Sequence, residues 1–183
     1  MEQKIIILTA GHGGANPGAV SLDGKFIEGR EAVRLRDSVA KRLRDAGAPV
    51  ITDGNAGQNQ PLADALKLIG RPGLLPLEIH FNAGPESATG VEVLALPGWA
   101  KASRAIARTV AETLGLPLRG DGGWKPDNAG QHHRLAWCRR GGLLLEVCFL
   151  SNPGDLLAYT ANFTALCDRL AHLLDVLSKG EKP

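Results

Sequence analysis

Lys4-Ile5-Ile6-Ile7-Leu8-Thr9 runs straight into Ala10-Gly11-His12-Gly13-Gly14. The first part, rich in isoleucine, reads as a buried strand, and the glycines stop it. Beyond a glycine-rich loop from Gly11 to Gly29 the period changes. Ala32, Leu35, Val39 and Leu43 recur at three- and four-residue spacing, and the pattern ends at Gly47, with Pro49 close behind. That is a helix followed by a C-terminal cap. Strand, loop and helix in this order predict the opening unit of an α/β sheet.

The same alternation continues. Strand-like runs recur at Pro49–Thr52, Leu77–Phe81, Gly90–Leu96 and Leu143–Phe149, each bounded by glycine, proline or asparagine. Helical patterns fall at Lys101–Leu114, which ends at Gly115, at Leu135–Arg139, and at Asp155–Leu177, where Leu166, Leu170, Leu173, Leu174 and Leu177 share a face. No repeat or linker divides the chain, so one domain over residues 1–183 is expected, with helices on both faces of its sheet. Ligands of such sheets lie beyond the carboxyl ends of the strands, and chemistry is sought there.

Composition narrows the classes. With 44% hydrophobic and 22% charged residues the chain matches ordinary globular proteins, and its apolar runs, such as Ile5–Leu8 and Leu143–Leu145, are too short to span a bilayer. The formal net charge is only +2, and the bases (Arg34, Arg36, Lys41, Arg42, Arg44) alternate with acids without aromatic interleaving. Nucleic acid is therefore not an expected partner. Cys138, Cys148 and Cys167 are odd in number and lack CxxC spacing, which predicts neither a disulfide framework nor a structural zinc cluster and fits a reducing compartment. Met1-Glu2-Gln3-Lys4 precedes the first strand without room for a signal peptide, so the expectation is a protein cytoplasmic as synthesised.

Two strand ends carry histidine. His12 follows the first strand among glycines that leave it open to a cleft. In Leu77-Glu78-Ile79-His80-Phe81-Asn82, period two sends Leu77 and Ile79 to one face and Glu78 and His80 to the other, which brings a second imidazole to the same edge. Two imidazoles and one carboxylate are a three-ligand pattern for catalytic zinc, with the fourth position left to water. Glu28, at the opening of the first helix, is the leading carboxylate, and Glu31 lies one turn along. Either acid also suits the helix dipole. Glu146 sits inside Leu143-Leu144-Leu145-Glu146-Val147-Cys148-Phe149-Leu150, where a carboxylate costs several kcal/mol by desolvation unless it is paired or functional. Beside a metal-bound water it would serve as general base and acid.

Taken together, Gly11-His12-Gly13-Gly14 with Pro17-Gly18-Ala19, Glu28, His80-Phe81-Asn82-Ala83, Gly90-Val91-Glu92-Val93 and Leu145-Glu146 with Phe149-Leu150-Ser151-Asn152 resemble the zinc-dependent N-acetylmuramoyl-L-alanine amidases of the amidase-3 type. The resemblance covers about 150 residues in order. It implies a mixed, twisted, mostly parallel sheet of about five to six strands, zinc held by His12, Glu28 and His80, and Glu146 as catalytic acid and base. The implied reaction cuts the amide between N-acetylmuramic acid and the L-alanine of the peptidoglycan stem peptide. A compact, endolysin-like lysis enzyme acting on the wall after release, and working as a monomer, is the expectation. Alternatives are a zinc peptidase cutting within the stem peptide and a non-catalytic wall-binding domain, the latter disfavoured by Glu146.

The chain departs from the pattern at Glu78, where relatives commonly carry a small hydroxyl residue. An extra carboxylate there either faces the site or points to solvent. Arg119–His133, rich in glycine, is expected as a wall of the substrate groove. Asn82, Trp124, His132 and His133 are candidates for substrate contact, with turn or surface roles as the alternatives. Cys148 falls two residues past Glu146 on the same strand face, with packing its expected role.

Overall fold

The computed structural model describes residues 2–13, 16–128 and 135–181. Its strands are β1 (Ile5–Ala10), β2 (Val50–Thr52), β3 (Leu74–Asn82), β4 (Glu92–Leu94), β5 (Trp124–Lys125) and β6 (Leu143–Phe149). They form one six-stranded sheet in the order β2-β1-β3-β6-β4-β5. β2, β1, β3 and β6 run parallel, while β4 pairs antiparallel with β6, and β5 follows β4. The sheet is thus mixed and mostly parallel, as the family resemblance implies.

Helices α1 (Glu28–Asp45), α3 (Ala100–Leu114) and α5 (Pro153–Ser178) cover one face. Their apolar stripes meet Ile6, Leu8, Leu75, Leu77, Ile79, Leu143 and Leu145 in the main core. Among the described residues, only the short α2 (Leu62–Ala65), a 3₁₀ turn (Leu66–Leu68) and α4 (Ala136–Arg139) cover the other face, around Ile7, Leu94, Leu144 and the buried Trp137. Among the described residues no helix is long and apolar enough to cross a membrane.

Helix ends explain themselves locally. After α1, Gly47 turns left-handed (φ 75°), so that Ala48 N–H reaches Leu43 O at 2.9 Å and Gly47 N–H reaches Arg44 O at 3.0 Å. This double closure satisfies carbonyls the helix leaves open. Asn152 caps α5 by accepting from Gly154 N–H (2.8 Å) and Asp155 N–H (3.1 Å).

Three strands differ from their sequence outline, β4 being confined to Glu92–Leu94 of the run Gly90–Leu96. β3 begins three residues earlier than Leu77 and includes Pro76. β6 joins β3 only from Leu77 onward, so the proline lies where the strand is paired on one side, a place that tolerates a missing donor. β5, two residues within the glycine-rich segment, is too short to show a period.

Candidate active site

β1 and β3 are neighbours, and their carboxyl ends place His12 and His80 with ring centroids 5.1 Å apart. α1 returns across the same edge, and its first residue, Glu28, reaches between the two rings. Glu28 Oε1 lies 2.9 Å from His80 Nδ1, and Oε2 lies 3.2 Å from His12 Nε2. Backbone fixes the carboxylate from behind: Phe81 N–H donates to Oε1 at 3.0 Å and Ala19 N–H donates to Oε2 at 2.8 Å. One donor atom from each of His12, Glu28 and His80 falls within 4.8 Å of the others. Glu31 takes no part. It accepts from Tyr159 O–H at 3.1 Å and pairs with Arg34 at 3.2 Å.

The electrostatics follow from this crowding. Burial works to raise the Glu28 pKa, but the His80 ring and the two backbone N–H groups outweigh it and leave the carboxyl below its usual range. Burial works to lower the His80 pKa, yet Glu28 and Glu78 hold it well above the ordinary value.

The donor set suits a zinc ion. Two imidazoles and a carboxylate are its common protein ligands, and the nearby Nδ1 of His12 is buried without a hydrogen-bond partner among the described residues. Glycines shape the cradle. A Cβ on Gly11 would overlap the His80 ring, and one on Gly18, which is left-handed at φ 72°, would overlap Glu28 Oε2. Gly11→Ala is expected to push His80 aside and lower kcat/KM by about 10²-fold. Steady-state kinetics together with zinc stoichiometry test this, and an alanine variant with full activity would show that the ring needs no such space.

Glu146 stands on β6 opposite His80 on one side and opposite Glu92 of β4 on the other. Its Oε2 is buried and, among the described residues, unpartnered. Burial, foremost, pushes its carboxyl up to about 7; His80 pulls the other way, while Glu28, Glu92 and Glu78 add to the rise. Past this point two steps on β3 from His80 to Asn82 match three on β6 from Glu146 to Phe149, which is a bulge. The extra residue breaks the alternation. Cys148 therefore turns into the core beneath the helices, away from the face that Glu146 shares, and the period-two placement beside Glu146 is corrected.

Asn82 lies at the end of β3, donating to Glu92 Oε1 at 3.1 Å. Glu92 also pairs with Arg119 and Lys125, each at 2.6 Å. Trp124 is not at the cleft. Its ring packs against the helix-side core, its Nε1–H donates to Ala95 O at 3.1 Å, and Arg104 stacks over it. Partial burial of an aromatic with a hydrogen-bonded indole explains the position without a ligand. His132 and His133 lie outside the described residues.

Two contributors went unread in the sequence. Asn59 Nδ2 donates to Ala10 O at 3.1 Å and to His12 O, tying the loop that holds His12 (φ 57°, an unusual value for a non-glycine residue). Arg36, fully buried, holds the segment that carries Asn59 by donating to Gln58 O (2.6 Å) and Asn55 O (3.2 Å), and pairs with the buried Asp53 at 2.6 Å. Asp53 in turn accepts from Ala10 N–H at 3.3 Å. One cue was available. Arg36 falls within the apolar stripe of Ala32, Leu35, Val39 and Leu43, where a base needs a buried partner.

A cleft of about 360 Å³ opens beside these groups, lined in part by His12, Glu78, His80, Gln60, Leu62 and Trp137. Convergent donors, an adjacent carboxylate able to hold or release a proton near neutrality, and a cleft at the strand ends of an α/β sheet define a hydrolase. Comparison with known proteins makes the class specific. The N-acetylmuramoyl-L-alanine amidase family, amidase-3, matches residues 6–164, and the chain belongs to that family. A candidate N-acetylmuramoyl-L-alanine amidase from Neisseria meningitidis superposes with a TM-score of 0.86 at 41% identity, covering 98% of this chain and 97% of that one. The CwlD amidase of Clostridioides difficile, solved with the GerS lipoprotein, has a TM-score of 0.73 at 19% identity over 97% of both chains. The catalytic domain of an endolysin targeting Clostridia difficile has a TM-score of 0.69 at 20% identity over 98% and 99%. These last two share the fold. No protein of the curated set matches the chain.

Proposed function

We propose that the chain hydrolyses the amide between the lactyl group of N-acetylmuramic acid and the L-alanine of the stem peptide, with zinc held by His12, Glu28 and His80. Family membership supports the amide; the observation that carries the zinc dependence is the convergence of one donor atom from each of the three side chains within 4.8 Å. A zinc ion bound there would polarise the scissile carbonyl and lower the pKa of a water molecule.

The protein's own groups do the rest. Glu28, tied to two backbone N–H groups, keeps the two imidazoles in register. Glu146 takes the proton from the attacking water and delivers it to the nitrogen of L-alanine as the C–N bond breaks, which matches a carboxyl poised near 7. The products are the glycan carboxylate and a free stem peptide. A lytic role belongs to the same proposal, motivated by a fold shared with catalytic domains over nearly its whole length. Purified protein is then expected to clear a suspension of cell walls.

The deciding assay is the release of amino-terminal alanine from purified peptidoglycan. Release is expected to stop on chelation and to return with added zinc. Undiminished release by metal-free protein would refute the zinc dependence, and new amino termini other than alanine would move the cut into the stem peptide.

A further inference from the structure

We propose that Glu78 is a positioning residue for the zinc site: its carboxylate accepts the Nε2–H of His80 and so turns Nδ1 toward the shared donor set. The inference rests on the reading that His12, Glu28 and His80 hold the ion. It concerns a side chain that the mechanism above does not use.

His80 stands between two carboxylates. Glu28 Oε1 is 2.9 Å from Nδ1, and Glu78 Oε2 is 3.1 Å from Nε2. An imidazole shares an ion with Glu28 through the nitrogen that faces Glu28, and that is Nδ1. The other nitrogen then carries the proton and needs an acceptor, which Glu78 supplies. Both residues lie on β3, two positions apart, so the strand's alternation puts them on one face with a fixed spacing. The Glu78 side chain is 5% exposed, so a partner that offsets its desolvation is required, and among the described residues His80 is the one the structure provides. Gly11 lies against the ring and confines it. Outer carboxylates of this kind fix the ring's tautomer and raise the basicity of the ligating nitrogen. The choice of glutamate at this position of β3 thereby gains a chemical reason.

Two measurements test the proposal. In competition with a chromophoric chelator, Glu78→Gln is expected to bind zinc about 10- to 100-fold more weakly than the wild type. Nitrogen-15 spectra of the zinc-loaded wild type are expected to show His80 protonated at Nε2 and bound through Nδ1, a signature that a purely structural glutamate would not set. Unchanged affinity in the variant, or zinc bound through Nε2, would overturn the role of Glu78 while leaving the zinc reading intact. A wild type that binds no zinc would overturn both.

Discussion

Replacing Glu146 with glutamine is expected to lower kcat on peptidoglycan by about 10²- to 10⁴-fold, with zinc content and fold unchanged. Glutamine keeps the shape of the side chain but can neither take a proton from water nor return one to the leaving nitrogen. Among the described residues Oε2 of Glu146 has no hydrogen-bond partner, so glutamine breaks no hydrogen bond there. The loss should therefore fall on kcat rather than on KM. A variant retaining more than a tenth of wild-type turnover would remove Glu146 from the chemistry. Stability carries an independent sign. In the zinc-free protein burial raises the Glu146 pKa from its ordinary 4.5 to about 7 on folding, so its contribution is present at low pH and is lost as the pH climbs through that interval. Glu146→Gln lacks this loss, and its melting temperature relative to the zinc-free wild type is expected to rise above pH 7.

Arg36→Met is expected to destabilise the fold by about 3–5 kcal/mol in denaturant unfolding. The methionine fills much of the volume but leaves the Asp53 carboxylate, itself fully buried, without its cation. Removing both charges, as Arg36→Met with Asp53→Leu, is expected to recover much of that loss, because a paired burial costs less to delete than to break. A single variant within 1 kcal/mol of wild type, in contrast to the ~3–5 expected, would mean that water or another group already compensates Asp53. Activity should suffer beyond stability, since the same guanidinium fixes the segment whose Asn59 ties down the loop of His12.

How much of this was legible in the sequence depended on the range of the forces involved. Period and capping are local, so α1 closes just before Gly47, the glycine its pattern requires, and β6 was outlined residue for residue. Glu146 announced itself because an acid in an apolar strand is costly wherever the strand goes. Choosing between Glu28 and Glu31 was another matter. One helical turn separates them, and the decision is made by Ala19, Phe81 and Tyr159, which come from three distant parts of the chain. Asn59 acts on backbone carbonyls 47 and 49 positions away, a relation without sequence spacing of its own. The bulge past Glu146 likewise arises from pairing with β3, and only pairing could reveal that Cys148 turns inward.

The uneven cover of the sheet has a consequence for how such a protein can diverge. Three long helices anchor one face, whereas the cleft wall is made of α2 and α4, four residues each, and their flanking turns. Side chains such as Leu62, half exposed on that wall, hold little of the core, so exchanging them leaves folding nearly untouched while it recasts what the groove admits. Selection for a new bacterial wall can work on one side of the molecule, and the other side carries the reserve that makes such drift affordable.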